Sequence, residues 1–191
     1  RQMCIRDSHG TSATSTSDVA SCNYVARRFG VRNGMSLQRA QALCPGVRTL
    51  PYAFEAYRAT SRQFYEALVH VADAIQVVSV DEALLDMSHA LPALLRGDDH
   101  PLADRFDAHK HLGVAALGEA VRDLIRSATQ CEASVGIGAN ILQARLATRL
   151  AKPSGTHVLD VACLRSMDVQ DLWGVGAGPV SYTHLPLPTK A

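Results

Sequence analysis

The segment that most constrains this chain is Ile75–Met87, IQVVSVDEALLDM, in which two adjacent carboxylates, Asp81 and Glu82, separate two short apolar runs. Val77, Val78 and Val80 before the pair, and Leu84, Leu85 and Met87 after it, predict two strands of a buried sheet. A buried carboxylate without a partner is protonated rather than left charged, so an acidic pair between such strands calls for a cation. Mg²⁺ is a hard cation that takes carboxylate oxygens and completes its shell with water and phosphate oxygens. Strand, Asp-Glu, strand therefore suits a metal platform for phosphoryl or nucleotidyl transfer. A solvated hairpin turn also carries such a pair, and the two readings stay open on these residues alone.

Composition narrows the remaining classes. The formal charge of +1 over 191 residues gives no global basic field, so any nucleic-acid surface must be local. Five cysteines, Cys4, Cys22, Cys44, Cys131 and Cys163, form no CxxC pair, which argues against a disulfide framework and a structural zinc site and fits a reducing compartment. No apolar run is long enough to span a bilayer and no secretory signal opens the chain, so a soluble intracellular protein is expected. Residues 1–8 and about 180–191 read as translated adaptor sequence at the edges of an assembled reading frame. Residues 9–17 read as a Thr/Ser/Gly/Ala linker. The leader 1–17 and the tail 180–191 are accordingly expected to lie outside the fold, which would make the chain a fragment truncated at both ends.

From Asp18 onward the elements alternate. Val19–Tyr24 predicts a strand running into a helical turn stopped at Gly30, and Ser36 caps a helix that carries Leu37, Ala40 and Leu43 to Pro45. Val47–Tyr52 is strand-like. Tyr57, Ser61, Phe64, Leu68 and Val71 recur at helical spacing and deliver the chain to the acidic hairpin. Residues 89–111 lack a period and predict a solvated loop; His109 and His111 have no further ligands at a metal-site spacing. Val114, Leu117, Val121, Leu124, Ile125 and Ala128 line one face of a helix whose other face carries Glu119, Arg122, Asp123 and Arg126. Glu132–Gly138 is the next strand, Asn140 a cap, and Ile141–Ala151 a helix ended by Pro153. Gly136-x-Gly138 lacks the third glycine of a dinucleotide fingerprint. The fold class expected is α+β, a mixed and largely antiparallel sheet with helices on one face.

Two cationic groups could join the acidic pair. Continued as a helix at about 100° per residue, Arg145, Arg149 and Lys152 form one stripe in a stretch without acids, suited to phosphate or to plain solvation. Tyr24 and Arg27, three apart on a helical start, could present a phenol and a guanidinium to one phosphate, or simply pack ring on guanidinium at the surface.

Taken in order, Ser21–Arg27 (SCNYVAR), Asn33-Gly-Met35, Ala42–Pro45 (ALCP), Ser79–Asp86 (SVDEALLD), Ala133–Asn140 (ASVGIGAN) and Ala151–Gly155 (AKPSG) resemble the motifs of Y-family translesion DNA polymerases over about 18–178. Leu84, where other branches carry an aromatic, and the wording SCNY and NGM are most similar to the Rev deoxycytidyl transferase branch of eukaryotes. The resemblance implies a right-hand polymerase with fingers over 18–52, palm over 53–157 and the start of a thumb over 158–179. It implies that Asp81 and Glu82 are catalytic and bind a pair of Mg²⁺ ions. It implies that Ser21, Cys22, Asn23, Tyr24, Val25, Ala26, Arg27, Asn33 and Lys152 bind the incoming nucleotide, dCTP, and that Arg145, Arg149, Gly174 and Gly176 bind DNA. The partners implied are primer–template DNA and other translesion polymerases, and the location implied is the nucleus. Four features depart from the pattern. The first palm strand with its aspartate and the segment whose arginine pairs with dCTP are not found, Val25 stands where glutamate is usual, and most of the thumb is missing. The expected function is transfer of dCMP to a primer 3′-hydroxyl opposite template G or an abasic site, with this fragment inactive alone. The rivals are another templated Y-family branch and a non-catalytic nucleic-acid-binding remnant of the fold.

Overall fold

The computed structural model describes residues 4–7, 18–165 and 167. The chain divides into two compact units, Arg1–Arg58 and Ala59–Ala191, so the division falls a few residues beyond the boundary at 52/53 that the sequence suggests.

The first unit is built on a three-stranded sheet of order β2-β1-β3, where β1 is Cys4–Asp7, β2 Val19–Cys22 and β3 Arg48–Leu50. Strand β1 runs antiparallel to β2 and parallel to β3. The expectation that residues 1–17 lie outside the fold is thus corrected for Cys4–Asp7. Four residues are too few to show an alternation, so only the pairing reveals this strand. Helix α1 (Tyr24–Arg28) is capped by the Asn23 side chain, which accepts from the Ala26 amide at 3.0 Å. It ends ahead of Gly30, whose φ of +85° is left-handed. Helix α2 (Leu37–Leu43) starts where Ser36 Oγ accepts from the Arg39 amide at 3.4 Å. Val19, Cys22, Ala26, Val31, Leu37, Ala40 and Cys44 form the small core between these pieces.

Helix α3 (Phe54–Val69) carries the chain from one unit to the next. The second unit then continues through β4 (Ala74–Ser79), β5 (Glu82–Asp86), α4 (Ala90–Arg96), α5 (Ala103–Ala108), a 3-10 turn at Lys110–Leu112, and α6 (Ala115–Thr129). It closes with β6 (Val135–Ile137), α7 (Ile141–Ala151), β7 (Thr156–Val158) and α8 (Val161–Leu164). Strands β4 and β5 pair antiparallel, β6 and β7 parallel. The mixed α+β class is as expected, with its strands in small separate sheets among the described residues.

Leu68, Val71, Leu94, Leu102, Phe106, Leu117, Val121 and Ile125 make the larger core. Each fully buried Leu or Phe contributes about 1.5–3 kcal/mol. Three of these residues come from 89–111, which the sequence predicts as a loop. The segment instead forms α4 and α5, and Leu94, Leu102 and Phe106 are its buried anchors. Its Asp- and His-rich composition hides the few apolar residues that decide its fate.

The acidic hairpin also differs from expectation. It is not a buried sheet: Val77 and Val80 are 64% and 65% exposed. Only Ile75, Ala83, Leu85 and Met87 pack against the larger core, because a two-stranded ribbon has one neighbour per strand and here one covered face.

Close approach at one glycine fixes α7. A Cβ on Gly136 would stand 2.1 Å from the Thr148 amide nitrogen and 2.4 Å from the Ala144 carbonyl oxygen. Glycine there lets α7 lie directly on β6, and thereby sets the place of every α7 side chain.

Candidate nucleotide and metal site

The register of the hairpin puts the acidic pair at its tip. Ser79 pairs with Glu82, leaving Val80 and Asp81 as the turn. Ser79 Oγ donates to Asp81 Oδ1 at 2.7 Å, and Asp81 is otherwise exposed. Glu82 Oε1 faces Arg145 Nη2 at 3.0 Å, with the Glu82 side chain 47% exposed and that of Arg145 only 18%. Arg145 is expected from the resemblance to face DNA; in the structure its guanidinium meets Glu82.

Tyr65, on α3, ties the same turn from below. Its hydroxyl lies within hydrogen-bond reach of the Ser79 carbonyl oxygen and 2.8 Å from that of Glu82. Partial burial, with the negative charge of Asp81 and Glu82, raises its phenol above the ordinary value, so it stays a donor at neutral pH. Sequence reading misses this residue. Tyr65 sits one position off the apolar stripe of α3, and nothing along the chain links it to a turn fourteen residues later.

The donor set suits a hard divalent cation. Both residues offer carboxylate oxygens and Asp81 is open to solvent, while Glu82 shares its charge with the Arg145 guanidinium. Among the described residues no third His, Cys, Asp or Glu joins them. The pair thus fits as the acidic part of a shell whose other oxygens come from water, substrate phosphates or elsewhere in a larger assembly.

The cationic stripe is redrawn. Arg145 and Arg149 share α7, but the helix ends at Ala151 and Lys152 is extended, with φ −68° and ψ 145°. The residue before a proline is driven from the helical region, and Pro153 follows. Lys152 is exposed and makes no ion pair among the described residues. Arg149 is exposed on the last turn.

The remaining expected residues belong to the first unit. Arg27 Nε donates to the Cys22 carbonyl at 3.1 Å, and its guanidinium carbon stands 5.6 Å from the Tyr24 ring centroid. The side-by-side arrangement expected from their spacing is therefore present, and it takes the form of ring against guanidinium. Cys22 and Ala26 are buried, so only their backbone is available to a ligand; Asn23 is occupied as a cap. Ser21 and Asn33 are exposed, Val25 half-buried, and Asn33 Oδ1 lies 3.5 Å from Cys22 Sγ. Gly174 and Gly176 lie outside the described residues.

Away from the hairpin, the polar face of α6 is a closed ionic network. Arg122 donates to the Ala133 carbonyl at 3.1 Å, to Glu119, and to Glu132 at 3.3 Å. Arg126 holds Glu132 through two bonds of 2.9 and 3.0 Å and Asp123 through one of 2.6 Å. His109 Nε2 lies 2.7 Å from Asp123 Oδ2, which gives that histidine a structural partner. Hydrogen bonding to His109 holds Asp123 below the usual carboxylate range, and hydrogen bonding to Arg126 does the same for Glu132.

Comparison with known proteins places these features in context. Residues 3–149 match the model of the impB/mucB/samB family. The chain is 42% identical over 166 residues to DNA repair protein rev1 of Schizosaccharomyces pombe, covering 84% of this chain and 16% of the relative. It is 38% identical to DNA repair protein REV1 of Arabidopsis thaliana, covering 88% and 14%. It is 30% identical to DNA polymerase IV of Bacteroides fragilis, covering 87% and 42%. Among solved structures, an insertion ternary complex of Dbh DNA polymerase superposes with a TM-score of 0.74 at 23% identity, over 92% of this chain and 48% of that one. DinB from Sulfolobus solfataricus superposes with a TM-score of 0.71 at 25% identity, over 93% and 48%. The chain thus spans less than half the length of each of these relatives.

Proposed function

Since the chain belongs to the impB/mucB/samB family, the Y-family DNA polymerases, we propose that it is the fingers and palm portion of a translesion polymerase of the deoxycytidyl transferase type. In this reading the whole polymerase transfers dCMP from dCTP to a primer 3′-hydroxyl opposite template G or an abasic site. It works in the nucleus, on primer–template DNA, in company with other translesion polymerases. The single observation that carries the reading is the hairpin tip, where Asp81 stands open to solvent beside Glu82.

Each residue then has a task. Asp81 and Glu82 would hold the Mg²⁺ pair, which would supply Lewis-acid assistance to the attack and offset phosphate charge. Arg145 keeps the Glu82 carboxylate oriented. Exposed Lys152 takes phosphate oxygens of the triphosphate, and Tyr24 with Arg27 forms a second phosphate-facing pair, the Arg27 Nη groups being free to donate once Nε is fixed on the Cys22 carbonyl. Ser21, Asn33 and the backbone of Cys22–Ala26 line the nucleotide pocket; Arg149, with Gly174 and Gly176, faces DNA.

Relatives named DNA polymerase IV at 30% identity support a second reading, a branch whose base choice follows the template. Single-nucleotide incorporation by the whole polymerase opposite template G, T and an abasic site separates the two. Preferential dCMP insertion at all three sites is expected, with loss of incorporation in Asp81→Ala. Insertion that follows the template base moves the protein to the second reading.

A further inference from the structure

We propose that Tyr65 is a positioning residue for the acidic pair, fastening the β4–β5 turn so that the Asp81 and Glu82 carboxylates are held ready for the Mg²⁺ ions. The proposal rests on the polymerase reading of the hairpin and adds a residue that the family motifs in this chain do not contain.

The geometry is specific. The turn is only two residues long, and its boundaries are the paired residues Ser79 and Glu82. The Tyr65 hydroxyl reaches the carbonyl oxygens of both boundary residues. It has one proton, so it donates to one carbonyl at a time while the other stays within reach. Either way a single group on α3 spans the mouth of the turn, and a splayed hairpin would break the contact. The ring itself is anchored. Phe64 lies against it edge to face at a centroid distance of 5.0 Å, and Phe64 packs on the larger core.

Such an anchor matters because the rest of the turn is weakly held. Val77, Val78 and Val80 are exposed, the ladder shifts register between Val77 and Ser79, and the ribbon has two strands. Two-stranded ribbons are marginal in water without further packing. Like charges on adjacent residues repel, and the turn would open to separate them. Tyr65, together with the Ser79 hydroxyl on Asp81 and Arg145 on Glu82, opposes that opening. Groups that orient metal ligands from behind typically change metal affinity or activity by about 10–100-fold when removed.

The test replaces Tyr65 by Phe in the whole polymerase, which keeps the ring and removes only the hydroxyl. Three quantities are read: hydrogen exchange of the amides of residues 80–83, the Mg²⁺ concentration for half-maximal incorporation, and KM for the nucleotide. The expected result is amide exchange faster by about tenfold and a Mg²⁺ requirement raised by about tenfold, with KM at saturating metal within about twofold of the parent. Saturating Mg²⁺ restores the rate, which shows the variant folded. An unchanged Mg²⁺ requirement overturns the proposal, whether or not the amides exchange faster. Tyr65→His, which keeps a ring donor, is read in the same way if the Phe variant does not fold; its Mg²⁺ requirement should lie nearer the parent, and a requirement equal to that of Asp81→Asn would overturn the role. Asp81→Ala runs beside them. If it retains incorporation, the polymerase reading of the hairpin fails and the proposal with it; if it is inactive while Tyr65→Phe behaves as the parent, only the positioning role fails.

Discussion

The polar face of α6 and the tip of the β4–β5 hairpin are both rich in charge, and they neutralise it to different extents. Around the polar face of α6 every acid is answered: Glu119 by Arg122, Asp123 by Arg126 and His109, and Glu132, just past the helix, by both arginines. At the hairpin tip Glu82 is paired with Arg145, but Asp81 has a serine hydroxyl as its side-chain partner; Lys152, at the end of α7, has no ion pair among the described residues. Charges that the protein itself neutralises hold elements together. Charges left open at a site of matched chemistry are available to a ligand. The contrast separates the fully paired acids of this domain from the one proposed to meet a ligand more sharply than the residue types do, since both sets are Asp and Glu.

The largest effect should come from the open set. Asp81→Ala should lower single-nucleotide incorporation by about a thousandfold with the thermal midpoint nearly unchanged, since an exposed turn residue carries little stability. A large drop in the midpoint would erase the distinction between the two regions. Next comes the closed set. Arg122→Ala removes the guanidinium that joins Glu119, Glu132 and the Ala133 carbonyl from a side chain only 12% exposed. It should destabilise the domain by about 2 kcal/mol, roughly thirtyfold in the folding equilibrium by denaturant titration, with incorporation per folded molecule unchanged. Lys152→Ala should raise KM for the nucleotide about tenfold while leaving stability alone, which steady-state kinetics at saturating DNA would show. The smallest effect is on pH. Asp123 and Glu132 titrate below the ordinary carboxylate range in the folded protein. Their contribution is therefore complete above about pH 4–5 and lost as pH falls through the depressed values. A midpoint that falls between pH 5 and 3 in the parent, and falls less in Asp123→Asn, would confirm that the network stabilises; identical profiles would show that these pairs add nothing.

Much of the local structure was legible along the chain. Ser36 and Asn140 announced the starts of α2 and α7, and Pro153 the end of the latter, because caps and breakers act within a few residues of themselves. The amphipathic stripe of α6 was equally plain, as was the hairpin with Asp81 and Glu82 at its tip. Segment 89–111 was not: Leu94, Leu102 and Phe106 lack a shared period, and only the surfaces of α3 and α6 give them somewhere to go. Cys4–Asp7 was too short to read without β2 and β3 beside it. Lys152 was misplaced on a helical stripe because a straight helix was carried one residue past the point where proline forbids it.

Which residues are candidates for chemistry is written locally along the chain, for the motifs are contiguous and the acidic pair, the caps and the basic positions of 145–152 are all local facts. Tertiary structure decided which of them are committed. Arg145 is engaged because Gly136 lets α7 lie on β6 and the guanidinium then meets Glu82. Tyr65 meets the turn because the fold brings α3 to carbonyls fourteen and seventeen residues away. Contacts of that kind depend on distances between elements, and no pattern along a chain encodes a distance until the core has closed.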